Sequence, residues 1–593
     1  MRKYSSKIHS KVLAILGISL LAPLYISIGN MSSAKGYELS IYKSTPISIW
    51  ILIILILFFS TLIIYFRSDI KLIFLSGLLT IISYISLLLL PMFRGYYLPK
   101  SGDLISHLGT IQIIISTGHM PESNFYPIIH ILGAIMSQIF GLDSKIIIYI
   151  LIAAMYILYY VGPALLMYSI SGRRGASMSL VFFTPLLHSI FQGTIGPAFV
   201  SFYIFPILLY LYRESGEKIS PRARWAALSV PLLLFITFGH PLSGAIIAIL
   251  SVIPIVVYIS TIKGESYIDS LRYSDKFRLF SSSIIGISWF VWYFSFSSIQ
   301  FKLRLVSSRI LGASEGGATI SKSYGSVLAT SDIGILYIVR LFVIRYGMLF
   351  IYYIVLIVVV YIIYKYGFYK SEVIKETLIE LAFSVGLAAI FIFTPLIVGS
   401  PIRVNRWSTF FMVVLISVVI SNFMPNIIGD TKSHIKINRL WKNLLIILVI
   451  ISLLLSLASV YPAPINGRAN AQVTNQDMEG SQWIMDYKVE SPHIAFSHAA
   501  IRRFAPYLDE PLVNDIITPI PDRFGYTNGQ APSSVLRENR SYILLTKRDL
   551  VFPETFPERV RTSANQYTDE SIDSLNNDAN KLYSNGEYWI YQI

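Results

Sequence analysis

The sequence predicts a polytopic α-helical membrane protein with about 13 transmembrane helices and a small C-terminal extracytoplasmic α/β domain. Three observations predict it. The 593 residues are 54% hydrophobic and only 14% charged, against about 25% charged in soluble domains. The apolar residues are gathered into runs of spanning length, such as Ile51 to Phe66 and Leu444 to Val460. The net charge of +15 is unevenly placed, with residues 1–461 carrying +20 and residues 462–593 carrying −5. This composition excludes a soluble globular enzyme and a disordered chain. The absence of cysteine excludes disulfides, thiol catalysis and cysteine metal sites.

Taken in order, the spans are expected at 10–29, 46–66, 71–92, 146–170, 176–192, 197–213, 225–240, 242–262, 279–300, 346–366, 378–398, 407–424 and 443–461. The first lacks a small-residue cleavage site and reads as a retained helix. Residues 103–141 read as two helices lying at the membrane interface. In the tail, Gln476 to Tyr487 reads as a short helix and Ser541–Thr546 as a buried strand. Lys581 to Tyr591 reads as a hairpin, with Asn585-Gly586 as a type I′ turn. With the N-terminus placed in the cytoplasm, the inside segments hold 23 basic residues and the outside loops of the membrane part 13. The positive-inside rule therefore predicts a multi-pass cell-membrane protein with a cytoplasmic N-terminus and an extracytoplasmic 462–593 domain. The basic excess then sets orientation, so nucleic acid is not the expected partner.

Polar chemistry gathers on the predicted outer side. His107, His119, His130, His188 and His240 all fall there, and the densest stretch is Gly102 to His130. Asp103 opens an amphipathic helix, where a carboxylate suits the helix N-terminus, and His107 lies one turn on, on the same face. Gly118 ends this helix and Pro121 prevents its continuation. Glu122 sits in the loop, and Tyr126-Pro127 begins a second helix carrying His130. Plainer roles stay open at each position: a helix cap for Asp103, a surface hydrogen bond for Asp103 and His107, and satisfied interfacial imidazoles for His188 and His240. Arginines form a second group. Arg403 and Arg406 lie in the short outer segment 400–407, and Arg340 and Arg345 near the outer end of another span. They run against the charge bias. Their guanidinium groups suit phosphate or, beside Trp407, headgroup anchoring.

An acidic residue in an outer loop, an interfacial helix, the turn Gly118-His-Met-Pro121 and the start Tyr126-Pro127 together resemble the GT-C superfamily of membrane glycosyltransferases. The helix containing Gly480-Ser-Gln-Trp-Ile484, shortly after the last span, is similar to the one that opens the soluble part of several such enzymes. The resemblance implies a polyprenyl (dolichyl) phosphate-linked sugar donor, an acceptor that is a glycan, lipid or protein, and transfer on the outer face. It places Asp103 at the family's catalytic acidic position. The signature W-W-D-Y-G is missing, which disfavours the protein-N-glycosylating branch.

The expected reaction is an inverting transfer with Asp103 as general base. His107, Glu122, His130, His188 and His240 are expected as supporting residues or ligands of a divalent metal (Mg or Mn). Arg403, Arg406, Arg340 and Arg345 are expected at the phosphate. A lipid-linked glycan transporter or flippase is the alternative, although the spans are nearly free of the internal charge such a pathway needs. A non-catalytic envelope protein is the third reading; it predicts that Asp103 and the outer histidines point in unrelated directions.

Overall fold

The computed structural model describes residues 2–65, 69–100, 102–186, 196–217, 235, 238–241, 244, 273–297, 299–301, 304, 335–366, 405–427, 432–489, 492–496, 501–504, 507–508, 516–520, 522–526, 541–556 and 567–593. Among the described residues the protein is mostly helical, with a small sheet near the C-terminus. Among the described residues, five helical segments are long and apolar enough to cross a membrane: Ile8–Gly29, Ile47–Tyr65, Ile70–Leu88, Ser144–Phe183 and Ile335–Tyr361. Helices Pro197–Glu217, Tyr273–Phe294, Asn405–Ile427 and Lys432–Ser459 cover four further expected spans. The expected spans at 225–240, 242–262 and 378–398 lie essentially outside the described residues.

The Ser144–Phe183 segment folds back on itself. Ser171 and Gly172 leave helical geometry, and Gly172 takes φ +61°, a conformation that costs glycine least. Tyr160 then reaches Thr184 at 3.2 Å, and the rings of Tyr159 and Phe183 lie 5.5 Å apart. Residues this far apart in sequence meet only if the helix reverses, since a straight one rises about 1.5 Å per residue. The expected break between 146–170 and 176–192 is thus present as a helical reversal, with the second arm described as far as residue 186. Around it packs a core of large aromatics, including Tyr84, Tyr156, Tyr159, Phe182, Phe202 and Phe410.

The sheet has the order β2-β1-β3-β5-β4, where β1 is His493–Phe496, β2 Ile516–Pro519, β3 Ser541–Thr546, β4 Asn580–Ser584 and β5 Tyr588–Gln592. β1 pairs parallel with β2 and β3, and β5 pairs antiparallel with β3 and β4. All six residues of β3 are buried, as a central strand covered on both faces requires. The hairpin forms where expected, but its turn is not type I′. That turn needs positive φ at both central residues, and only Gly586 (φ +87°) has it. The Asn585 side chain instead accepts from the Tyr588 and Glu587 N–H groups at 2.9 and 3.3 Å.

Several contacts tie the sheet-bearing region to the helices, among them a backbone bridge and a buried ion-pair cluster. Leu98 and Val473 form an antiparallel bridge, with the Val473 N–H donating to Leu98 O at 3.2 Å. Beside it, Glu38 is ion-paired to buried Arg94 and accepts from the Tyr96 hydroxyl at 2.6 Å. The Asn470 side chain donates to Glu38 O at 2.8 Å, and the Glu38 N–H donates to Gln472 Oε1 at 2.8 Å.

Candidate active site

The site is built on helices Asp103–Thr117 and Ile128–Phe140. The first starts and stops at glycines: Gly102 at φ +97° precedes it, and Gly118 at φ +72° caps its end. The second exposes Ile131, Ile135 and Ile139 at four-residue spacing while burying Ile129, His130, Gly133 and Ala134. That apolar stripe fits a helix lying in the membrane interface. A Cβ on Gly133 would stand 2.5 Å from Ile111 Cδ1. Glycine there lets the two helices approach closely, which brings His107 to His130.

The His107 Nδ1 and His130 Nε2 atoms are 2.9 Å apart, and His130 Nδ1 lies 2.8 Å from Asn124 Nδ2. The Tyr126 N–H donates to Asn124 Oδ1 at 3.3 Å. All three side chains in this row are buried, with His107 at 7%, His130 at 2% and Asn124 at 8% exposure. Burial lowers the His107 pKa to about 4, with Asp103 opposing and Arg503 adding to the fall. Burial and the neighbouring His107 lower His130 to about 3. Removal from water disfavours the charged imidazolium, so both rings are neutral at ordinary pH. The Tyr126 ring lies 6.2 Å from that of His107 and stacks on His240 at 6.5 Å.

Asp103 opens the first helix but does not cap it; Gly102 is the cap residue and no side chain bonds there. Its Oδ1 instead lies 2.7 Å from Arg503 Nη1, in a pair about half exposed on both sides (58% and 50%). The Ser106 hydroxyl donates to Arg503 O at 3.3 Å. Arg503 belongs to the short helix Ile501–Phe504 of the C-terminal region. One cluster thus joins an accessible carboxylate, a guanidinium, a neutral imidazole and the Tyr126 phenol, whose pKa burial and Asp103 raise.

The other expected site residues fall as follows. His240 joins the cluster through Tyr126. Glu122 is exposed in the turn at 122–123. His188 and Arg403 lie outside the described residues. Arg406 is the second residue of helix Asn405–Ile427. Arg340 is exposed on helix Ile335–Tyr366. Arg345 differs from expectation as a phosphate residue: its Nε and Nη2 donate to Asn466 O at 2.7 Å and Gly467 O at 3.0 Å, so much of its fork serves to hold the chain after Ser459. The metal-ligand expectation for His107 and His130 also changes. A ligating imidazole offers a free nitrogen lone pair, and their facing nitrogens are engaged with each other and with Asn124. Among the described residues no group of three His, Cys, Asp or Glu could hold a metal ion. The described donor set does not fit a divalent metal.

Sequence reasoning missed Asn124 and Arg503. Asn124, two residues before the Tyr126-Pro127 start, carried a legible signal, since asparagine there commonly accepts from the backbone two residues on. Arg503 carried none.

No protein-family model and no curated protein sequence matches the chain. Among solved structures it is similar to the archaeal oligosaccharyltransferase AglB from Archaeoglobus fulgidus in complex with an inhibitory peptide and a dolichol-phosphate. That match has 11% identity and a TM-score of 0.49, covering 81% of this chain and 71% of that one. It is also similar to ArnT from Cupriavidus metallidurans in the apo state, at 10% identity and a TM-score of 0.41, covering 86% of this chain and 98% of that one. At TM-scores below 0.5, no residue of this chain inherits a role from theirs.

Proposed function

We propose that the protein is an integral membrane glycosyltransferase that moves a sugar from a polyprenyl phosphate-linked donor to an acceptor on the extracytoplasmic face. The observation that carries this reading is the accessible Asp103 carboxylate, set at the start of an interfacial helix and faced by Arg503 and His107. A base must reach the proton it takes, and Asp103 is open to substrate. The acceptor oxygen attacks the anomeric carbon while its proton passes to Asp103. The bond from that carbon to the phosphate oxygen breaks, and the phosphate leaves with the electron pair. Arg503 is charged throughout and stands 2.7 Å from the carboxylate. It can exchange that partner for the departing phosphate and stabilise its charge. Arg340, Arg403 and Arg406 are further candidates for that anion. The exposed Ile131, Ile135 and Ile139 stripe suits a neighbouring lipid chain.

The gathering of Asp103, His107, His130 and His240 favours a working site over unrelated orientations. The test uses the purified protein in lipid with labelled polyprenyl-phosphate sugars, with and without chelator, against Asp103→Ala. Transfer that disappears in Asp103→Ala and survives chelation supports the reading. Undiminished transfer by a folded Asp103→Ala variant refutes it.

A further inference from the structure

The hydrogen-bond row beneath Asp103 has a direction, and that direction identifies the acceptor chemistry. Asn124 is oriented by its own backbone: the Tyr126 N–H donates to Oδ1 at 3.3 Å, so the amide nitrogen faces His130 Nδ1 at 2.8 Å. An amide nitrogen only donates, so His130 Nδ1 accepts. Neutral His130 therefore carries its proton on Nε2, and that N–H donates across 2.9 Å to His107 Nδ1. Neutral His107 in turn carries its proton on Nε2. Among the described residues nothing accepts from this last N–H. His107 lies one helical turn from Asp103 on the same side of the helix, near enough for the Asp103 charge to act on its ring.

The site thus offers a carboxylate, which only accepts, beside an imidazole N–H, which only donates. A hydroxyl satisfies both at once. It donates its proton to Asp103, accepts from His107, and keeps a second lone pair for the attack. A carboxamide nitrogen does not, because it donates but has no lone pair free to accept. Resting on the glycosyl-transfer reading, we infer that His107 is a hydrogen-bond donor to the acceptor and that the site selects an alcohol oxygen over an amide nitrogen. Asn124 and His130 are positioning residues that fix its tautomer. The low proton affinities of both rings keep the row neutral and its direction constant.

The test has two arms, both on the full chain in lipid nanodiscs. In the first, histidines are labelled with ¹⁵N, and His107→Gln and His130→Gln variants identify the two signals. The expected result is the Nε2–H form for both rings, unchanged from pH 8 to about pH 5.5. A proton on His107 Nδ1, or an imidazolium at neutral pH, overturns the inference. In the second, a labelled polyprenyl-phosphate sugar is offered to an alkyl glucoside and to a peptide bearing an Asn-x-Thr site. The expected product is an O-glycoside. His107→Leu should lower its formation about 100-fold, the size of one lost oriented donor. His107→Gln, which can still donate, should recover most of it, and Asn124→Ala should fall between them while mixing the tautomers. A glycosylamine product abolished by Asp103→Asn would leave the transferase reading standing and overturn this one. Equal activity in His107→Leu and His107→Gln also overturns it. The tautomer measurement needs no turnover, so it stays decisive even if transfer fails.

Discussion

Replacing Arg94 by methionine should loosen the junction between the helices and the sheet-bearing region by a calculable amount. The side chains of Arg94 and Glu38 are 5% and 13% exposed. Among the described residues, the other side-chain donor to Glu38 is the Tyr96 hydroxyl at 2.6 Å. Arg94→Met leaves the carboxylate buried without its counter-charge, which costs about 3–5 kcal/mol. At about 1.4 kcal/mol per tenfold, local opening should become between about 10² and about 4 × 10³ times more frequent. Hydrogen exchange reads this at the amides that close the junction: Glu38 on Gln472, Tyr97 on Val473 and Val473 on Leu98. Amides of the helix Ile128–Phe140, which makes none of these contacts, should not change. The double variant Glu38→Gln/Arg94→Met removes the stranded charge and should restore at least half of the lost protection. Unchanged exchange in the single variant, or a double variant no better protected than the single, would show that the buried pair does not hold the junction.

Four further outcomes are expected. Arg503→Ala should change thermal stability by less than about 1 kcal/mol, because an ion pair this exposed contributes little, while transfer falls; a large stability loss with unaltered transfer would contradict its assignment to the phosphate. Gly102→Ala should cost about 1–3 kcal/mol and misplace Asp103, since φ +97° is a glycine conformation; melting and transfer rate together check it. His107 and His130 are held below their ordinary value, so their contribution is fully present above about pH 6.5 and is lost as pH falls through about 4; exchange of the Tyr126 amide should rise over that window and transfer should show no limb near 6.5. Burial raises the Asp477 pKa to about 6, which favours its neutral form. Wild type should therefore lose stability relative to Asp477→Asn as pH rises from about 4 to 6, by at most about 3 kcal/mol; a constant difference contradicts this.

Much of the scaffold was legible because it follows from local rules. Gly118 stops the Asp103–Thr117 helix as expected, and the gap between the spans expected at 146–170 and 176–192 falls where Ser171 and Gly172 leave helical geometry. The even burial of Ser541–Thr546 also follows from its composition. The turn at Asn585 was misread because its side chain competes for backbone donors, which a dipeptide rule does not weigh. The site was legible in part. Asp103, His107 and His130 all stood out, but spacing suggested that Asp103 would pair with His107. In the structure His107 turns to His130 because Gly133 admits Ile111. Arg345 misled because its partners are backbone carbonyls, which have no residue signature. Arg503 stayed hidden because it meets Asp103 across some 400 residues of chain, and no periodicity encodes such a contact.

As proposed above, Asp103 takes a proton during sugar transfer. The most direct measurement is single-turnover transfer by Asp103→Asn in nanodiscs, with donor binding measured on the same sample. Asparagine keeps the shape and removes the base. The expected rate is about 10²–10⁴-fold lower, with donor affinity within about 3-fold of wild type, since only about 0.6 kcal/mol separates such values. A wild-type rate in a folded variant that binds donor normally would contradict it.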